Sequence, residues 1–181
     1  QTIGESMSAM SEATETALIG VLGTLLGTLL GWWLNSLSQK GNLSIFITSW
    51  EDSFKHNSSF GEMVPCYERE NVQSYSYKLS VDLYNSSGNP KIMRKIQIVF
   101  SDGKHDIMTQ TPQDESTRRF SSPMVFYDDV TPINIPPKAV IKLDLRAGMW
   151  NENGKLDFLW KSKKVFLAYI DEKNRVRRKL I

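Results

Sequence analysis

The sequence predicts a mainly β protein: an antiparallel β-sandwich preceded by one long N-terminal transmembrane helix. Three observations predict it. Residues 17–34 form an uncharged apolar run, period-2 alternation recurs in short segments from residue 43 onward, and turn residues separate those segments every 8–12 positions. The chain therefore parses into a short polar segment (1–16), a transmembrane helix (17–38) and a β-sandwich domain (43–181).

The N-terminal segment carries Glu5, Glu12 and Glu15 and no lysine or arginine. A secretory signal needs a positive region before its apolar stretch, so a retained anchor fits better than a cleaved signal. The run from Ala17 to Leu34 is 18 residues long and has only two polar side chains, both threonines. About 20 residues cross a bilayer core of roughly 30 Å, and Leu37 extends the run by a turn. A soluble alternative is a helix over residues 6–38, capped by Ser8 or Ser11 and ended by Gly41, that packs in an oligomer.

Small residues in the run share one side. At about 100° per residue, Gly20, Gly23, Thr24, Gly27, Thr28 and Gly31 occupy an arc of roughly 140°. Leucines and Val21 fill the rest. Small residues four apart let helix backbones approach, and threonine hydroxyls can bond across the contact. This stripe is the expected helix-packing interface, with a second copy of the chain or another membrane protein. Trp32 and Trp33 close the run, where interfacial aromatics sit.

Orientation follows from the flanks. No Lys or Arg precedes the run, whereas Lys40 and Lys55 follow it, which favours a cytoplasmic domain. The unpaired Cys66 agrees with a reducing compartment. The alternative is an extracytoplasmic adhesion or envelope-binding domain, which would expose three glycosylation-type triplets at Asn42, Asn57 and Asn85.

The domain reads as short strands. Leu43 to Trp50 opens it. Ser74 to Asn85 alternates most cleanly: Tyr75, Tyr77, Leu79, Val81 and Leu83 against Ser76, Lys78, Ser80, Asp82 and Tyr84. The run from Asn85 to Pro90 is a dense turn signal. Ile96, Ile98 and Phe100 follow, then a turn at Ser101–Lys104 and a short strand near 105–109. Residues 112–122 read as an exposed loop, 124–127 as a strand, and Pro132, Pro136 and Pro137 as a crossing segment. Ala139 to Leu145 alternates, and 156–160 is a shorter strand candidate. Residues 165–170 and 175–181 flank Asp171–Asn174 as a hairpin. Seven to nine strands over about 140 residues suit an antiparallel sandwich.

The run Leu79–Phe100, with an apolar strand ending in Asn85-Ser-Ser-Gly-Asn-Pro90 and an Ile-rich strand following, resembles a pattern in small bacterial membrane proteins. Residues 135–145 and the Asp171 hairpin are also similar to that pattern. The resemblance implies one N-terminal span and an immunoglobulin-like sandwich. It brings no catalytic residues.

Composition limits the chemistry. The 181 residues are 40% hydrophobic and 23% charged, with a net charge of +2, which suits one packed domain and excludes a disordered chain. The balance excludes a dedicated nucleic-acid binder. One cysteine and two histidines leave no disulfide framework and little for a zinc site. Cys66 with His56 or His105 has no local nucleophile–base signature, and no spacing draws Asp102, Asp106, Asp128 and Asp129 together for calcium. No catalytic, cofactor or metal site is expected, and no small-molecule substrate is evident.

The charge is nonetheless uneven. Residues 1–90 hold 4 Lys/Arg against 9 Asp/Glu, and residues 91–181 hold 18 against 11. The excess gathers in Lys161, Lys163, Lys164, Arg175, Arg177, Arg178 and Lys179, a basic patch read as a charged edge strand or as a contact with anionic lipid. The functional expectation is a non-catalytic binding or scaffold protein, held in a bilayer and oligomerised through the glycine stripe.

Overall fold

In the computed structural model, the backbone of residues 2–181 and the side chains of residues 14–68 and 70–181 are described. The chain divides into Gln1–Gly41 and Asn42–Ile181. The first unit is a single helix, α1 (Thr2–Gln39). The polar segment is not a separate element, because the same helix runs through it. Ser8 and Ser11 lie inside α1, so neither starts it, and their side chains fall outside the described residues. Within α1, Thr14–Gln39 is long and apolar enough to cross a membrane. Twenty-six residues at 1.5 Å each give about 39 Å. Its leucines and both tryptophans are exposed.

The second unit is mostly strand. In chain order it comprises β1 (Leu43–Asn57), β2 (Met63–Pro65), β3 (Ser74–Asn85), β4 (Lys91–Ser101), β5 (Asp106–Gln110), β6 (Gln113–Asp114), β7 (Arg119–Ser121), β8 (Met124–Phe126), β9 (Ile133–Ile135), β10 (Val140–Trp150), helix α2 (Asp157–Lys161), β11 (Lys164–Ile170) and β12 (Val176–Leu180). One sheet has the order β2-β1-β3-β10-β6 and the other β12-β11-β4-β5, with β9 also on β4; β7 and β8 form a separate hairpin. Every pairing is antiparallel.

The alternation read in β3 decides the core. Tyr75, Tyr77, Leu79, Val81 and Leu83 are buried, as are Leu143, Leu145, Ala147 and Met149 of neighbouring β10. Ile96, Ile98 and Phe100 of β4 and Leu167 of β11 are buried in the same core. Each fully buried side chain of this size contributes roughly 1.5–3 kcal/mol.

Three elements differ from the sequence reading. β1 continues seven residues past Trp50, because its register with β3 holds down to Lys55 opposite Ser74. Its charged tail, Glu51, Asp52 and Lys55, hid the pattern. The stretch 112–122 is not plain loop: it holds β6, a 3-10 turn (Glu115–Thr117) and β7. Residues 157–161 are helix rather than strand. Local bonds from Asp157 N–H to Gly154 O and from Leu159 N–H to Leu156 O wind the chain there. They bury Leu156 and Phe158, and the Phe158 ring meets Phe100 edge to face at 4.8 Å.

Candidate functional site

The sandwich has two distinct ends. At one, β3 finishes, β1 and β10 begin, and the chain enters from Asn42. Asn85, fully buried, ties this end together. Its Nδ2 donates to the carbonyls of Asn89 (2.8 Å), Ile135 (3.1 Å) and Pro136 (3.0 Å), and its Oδ1 accepts from the N–H and hydroxyl of Ser87. The backbone of Asn42 bonds Ser86. The turn signal in the sequence is thus a buried polar joint that fixes the crossing from one sheet to the other.

Asp171 sits at the same end, 6% exposed. It accepts from the backbone N–H groups of Lys173 and Arg175 (both 2.9 Å) and from the guanidinium groups of Arg175 (3.1 Å) and Arg177 (3.0 Å). Burial pushes its carboxyl up, but those backbone and guanidinium bonds outweigh it and hold the group at about 2.

The opposite end opens into a cleft of about 490 Å³, the candidate binding site. Trp50 and Phe54 of β1 and Trp160 of α2 line it, with Tyr75 below and Asp52, Lys163 and Lys164 also in the lining. Phe54 stacks on Trp160 at 5.7 Å, and Trp50 on Tyr77 at 4.8 Å. Burial and then the charge of Asp52 push the Tyr75 hydroxyl above the usual phenol range. Ser162 lines the wall too, but its hydroxyl donates to Phe158 O at 2.7 Å. Flat aromatic walls with two amines and one carboxylate suit binding of a partly apolar group rather than bond-making chemistry. Sequence reading did not find this cleft. Its residues lie far apart in the chain, and only the alternation of Trp50 with Phe54 on β1 hinted at it.

The expected sites fall as follows. Gly20, Gly23, Gly27 and Gly31 have open space where a side chain would project. The Thr24 and Thr28 hydroxyls donate back to Gly20 O and Thr24 O, both at 2.8 Å. The stripe is therefore smooth, with its polar groups satisfied inside the helix. Trp32 and Trp33 are exposed near the end of α1.

The basic patch does not stay together. Lys161, Lys163 and Lys164 lie at the cleft end, since Lys164 pairs with Ser101. Arg175 and Arg177 lie at the Asn85 end, one β11 length or about 20 Å away. Between them Arg178 pairs with Asp106 at 2.7 Å, and Lys179 stands opposite Leu167 on the exposed edge strand β12.

Cys66 is buried and donates to Glu68 O, while His105 is exposed in the β4–β5 turn. Among the described residues no group of three or more His, Cys, Asp or Glu gathers to hold a metal ion. Asp102, Asp106, Asp128 and Asp129 form no such group. Asp102 caps its own turn, Asp106 holds Arg178, and Asp128 holds Arg119.

Fold and site together define an immunoglobulin-like β-sandwich that follows a candidate membrane helix. Residues 41–181 match the YopI Ig-like domain family, and the chain belongs to it. It is similar to the SPbeta prophage-derived uncharacterized protein YopI of Bacillus subtilis strain 168, 26% identical over 129 residues that cover 70% of this chain and 72% of that one. Among solved structures it is similar to the ApaA protein of Bordetella pertussis, at 11% identity with a TM-score of 0.37, covering 79% of this chain and 90% of that one. It is also similar to an uncharacterized β-sandwich protein of Clostridium difficile 630, at 13% identity and a TM-score of 0.35, with the same coverage. Neither the family nor the B. subtilis relative is named for a catalytic activity.

Proposed function

We propose that the chain is a single-span membrane protein whose sandwich serves as a non-catalytic binding module, with the aromatic cleft as the surface offered to a partner. The observation that carries this reading is the length and apolar character of Thr14–Gln39, whose leucines and tryptophans are exposed. Four glycines between positions 20 and 31 cost roughly 1 kcal/mol each in a water-exposed helix. In a bilayer the helix is the only way for one segment to satisfy its backbone. Among the described residues, no contact requires glycine at those positions. A stripe that lets a second helix approach closely supports self-association, or docking on another membrane protein.

The test is alkaline extraction of membranes holding the full chain. Retention in the pellet is expected, and release into the supernatant overturns the anchor. Gly27→Leu is expected to shift a detergent-solubilised oligomer to monomer; an unchanged oligomer removes the stripe from the interface. Cys66 is buried, so the cytoplasmic orientation is tested with a cysteine placed at exposed Ser59. Labelling of intact cells by an impermeant thiol reagent would show the extracytoplasmic alternative.

A further inference from the structure

We propose that the end of the sandwich entered from Asn42 is a docking surface for anionic lipid headgroups, one that seats the domain on the bilayer. This rests on the single-span reading. The tertiary structure gathers at that end bases that are scattered in sequence. Lys91 and Arg94 start β4, Lys95 follows in a left-handed backbone position, Lys138 precedes β10, and Lys173 and Arg175 form the β11–β12 turn. Contacts place them together. Lys91 pairs with Glu172 at 2.7 Å, Arg94 donates to Asp171 O at 3.2 Å, and Lys138 donates to Ser86 O at 2.6 Å. Ser86 in turn bonds Asn42, the first residue of the domain.

Asp171 and Glu172 are the acids set among these bases, and both are already engaged. Lys95, Lys138, Lys173 and Arg94 remain exposed. The cleft end is different: there Asp52, Asp102 and Asp157 mix with the lysines. Tyr84 and Val140, cross-strand partners one step from the same entry end, are exposed, Val140 at 63%. A basic surface with tyrosine and an aliphatic beside it suits an anionic interface.

Chain length supplies the tether. Only Lys40 and Gly41 separate the last helical residue from Asn42, a reach of about 11 Å. The Debye length at physiological salt is about 8 Å, so these bases act on headgroups when this end lies against the bilayer, a position the short tether permits, and high salt weakens them. Each base near such a surface strengthens attachment about fivefold.

Lysine footprinting of the full chain tests this. The chain is placed in vesicles of neutral phosphatidylcholine, and in vesicles with part of that lipid replaced by anionic phosphatidylglycerol, which carries no amine. An amine-acylating reagent is then added. Acylation of Lys95, Lys138 and Lys173 is expected to slow several-fold on the anionic vesicles and to recover in high salt. Lys104 and Lys163, toward the cleft end, are expected to react alike on both. Equal rates at Lys95, Lys138 and Lys173 on the two lipids, or equal slowing at both ends, overturn the docking surface. The pair Arg94→Gln and Lys138→Asn, asparagine suiting the left-handed backbone, is expected to weaken protection of Lys95 and Lys173; undiminished protection counts against it.

An alkaline wash of the neutral vesicles judges the anchor separately. A chain washed off neutral lipid overturns the anchor alone if it still binds anionic vesicles with the same footprint. One that binds neither overturns both.

Discussion

Leucine behaves oppositely in the two units. Leu25 in α1 is 55% exposed, whereas Leu79 in β3 is 1% exposed. The sandwich answers its own apolar residues by closing two sheets over them. The leucines of α1 stay exposed in the helix, and the proposal of a membrane span accounts for them. The same residue type thus reports stability in one unit and environment in the other.

Five changes break or sharpen that contrast. The largest effect is expected from Leu26→Arg combined with Leu29→Arg. Each arginine at a span centre costs about 3 kcal/mol on insertion scales. Alkaline extraction should then release the chain, while thermal unfolding of the sandwich stays unchanged. Leu79→Ala is the converse. It should lower unfolding free energy by about 3 kcal/mol in a denaturant titration and leave membrane retention alone. Leu25→Ala should do neither.

Asp171→Asn comes next, at about 2 kcal/mol, because bonds from two guanidinium groups to a charged acceptor are weakened. This site also sets a pH dependence. In the unfolded chain an aspartate takes its proton near 3.9, whereas folded Asp171 stays ionised down to about 2. Its contribution is therefore complete above about pH 4 and lost as pH falls toward 2. Thermal melts between those values should fall more steeply for the natural chain than for Asp171→Asn. A smaller effect on folding is expected at Arg178→Ala. Its pair with Asp106 is partly exposed, so unfolding should shift by less than about 1 kcal/mol.

Much of the fold was legible because strand burial writes itself into neighbouring residues. β3, β4, β10 and the β11–β12 hairpin follow the alternation and turn residues seen in the sequence. The strand candidate at 156–160 is helix over Asp157–Lys161, because five residues hold too little periodicity to separate helix from strand and local bonds after Gly154 make the choice. Asn85 was visible only as a turn residue. Its partners at 135 and 136 are fifty positions away, so its role as a buried joint was invisible. The bases of the patch lie close in sequence, yet β11 separates Lys161, Lys163 and Lys164 from Arg175 and Arg177, with Arg178 and Lys179 between them.

The sequence by itself determined the division into an uncharged helix and a strand-rich domain, because charge content and period depend on residues close in the chain. The tertiary structure alone decided which bases share an end, which aromatics form a cleft and which asparagine is buried. Those are properties of strand register and sheet packing, which join residues far apart in sequence.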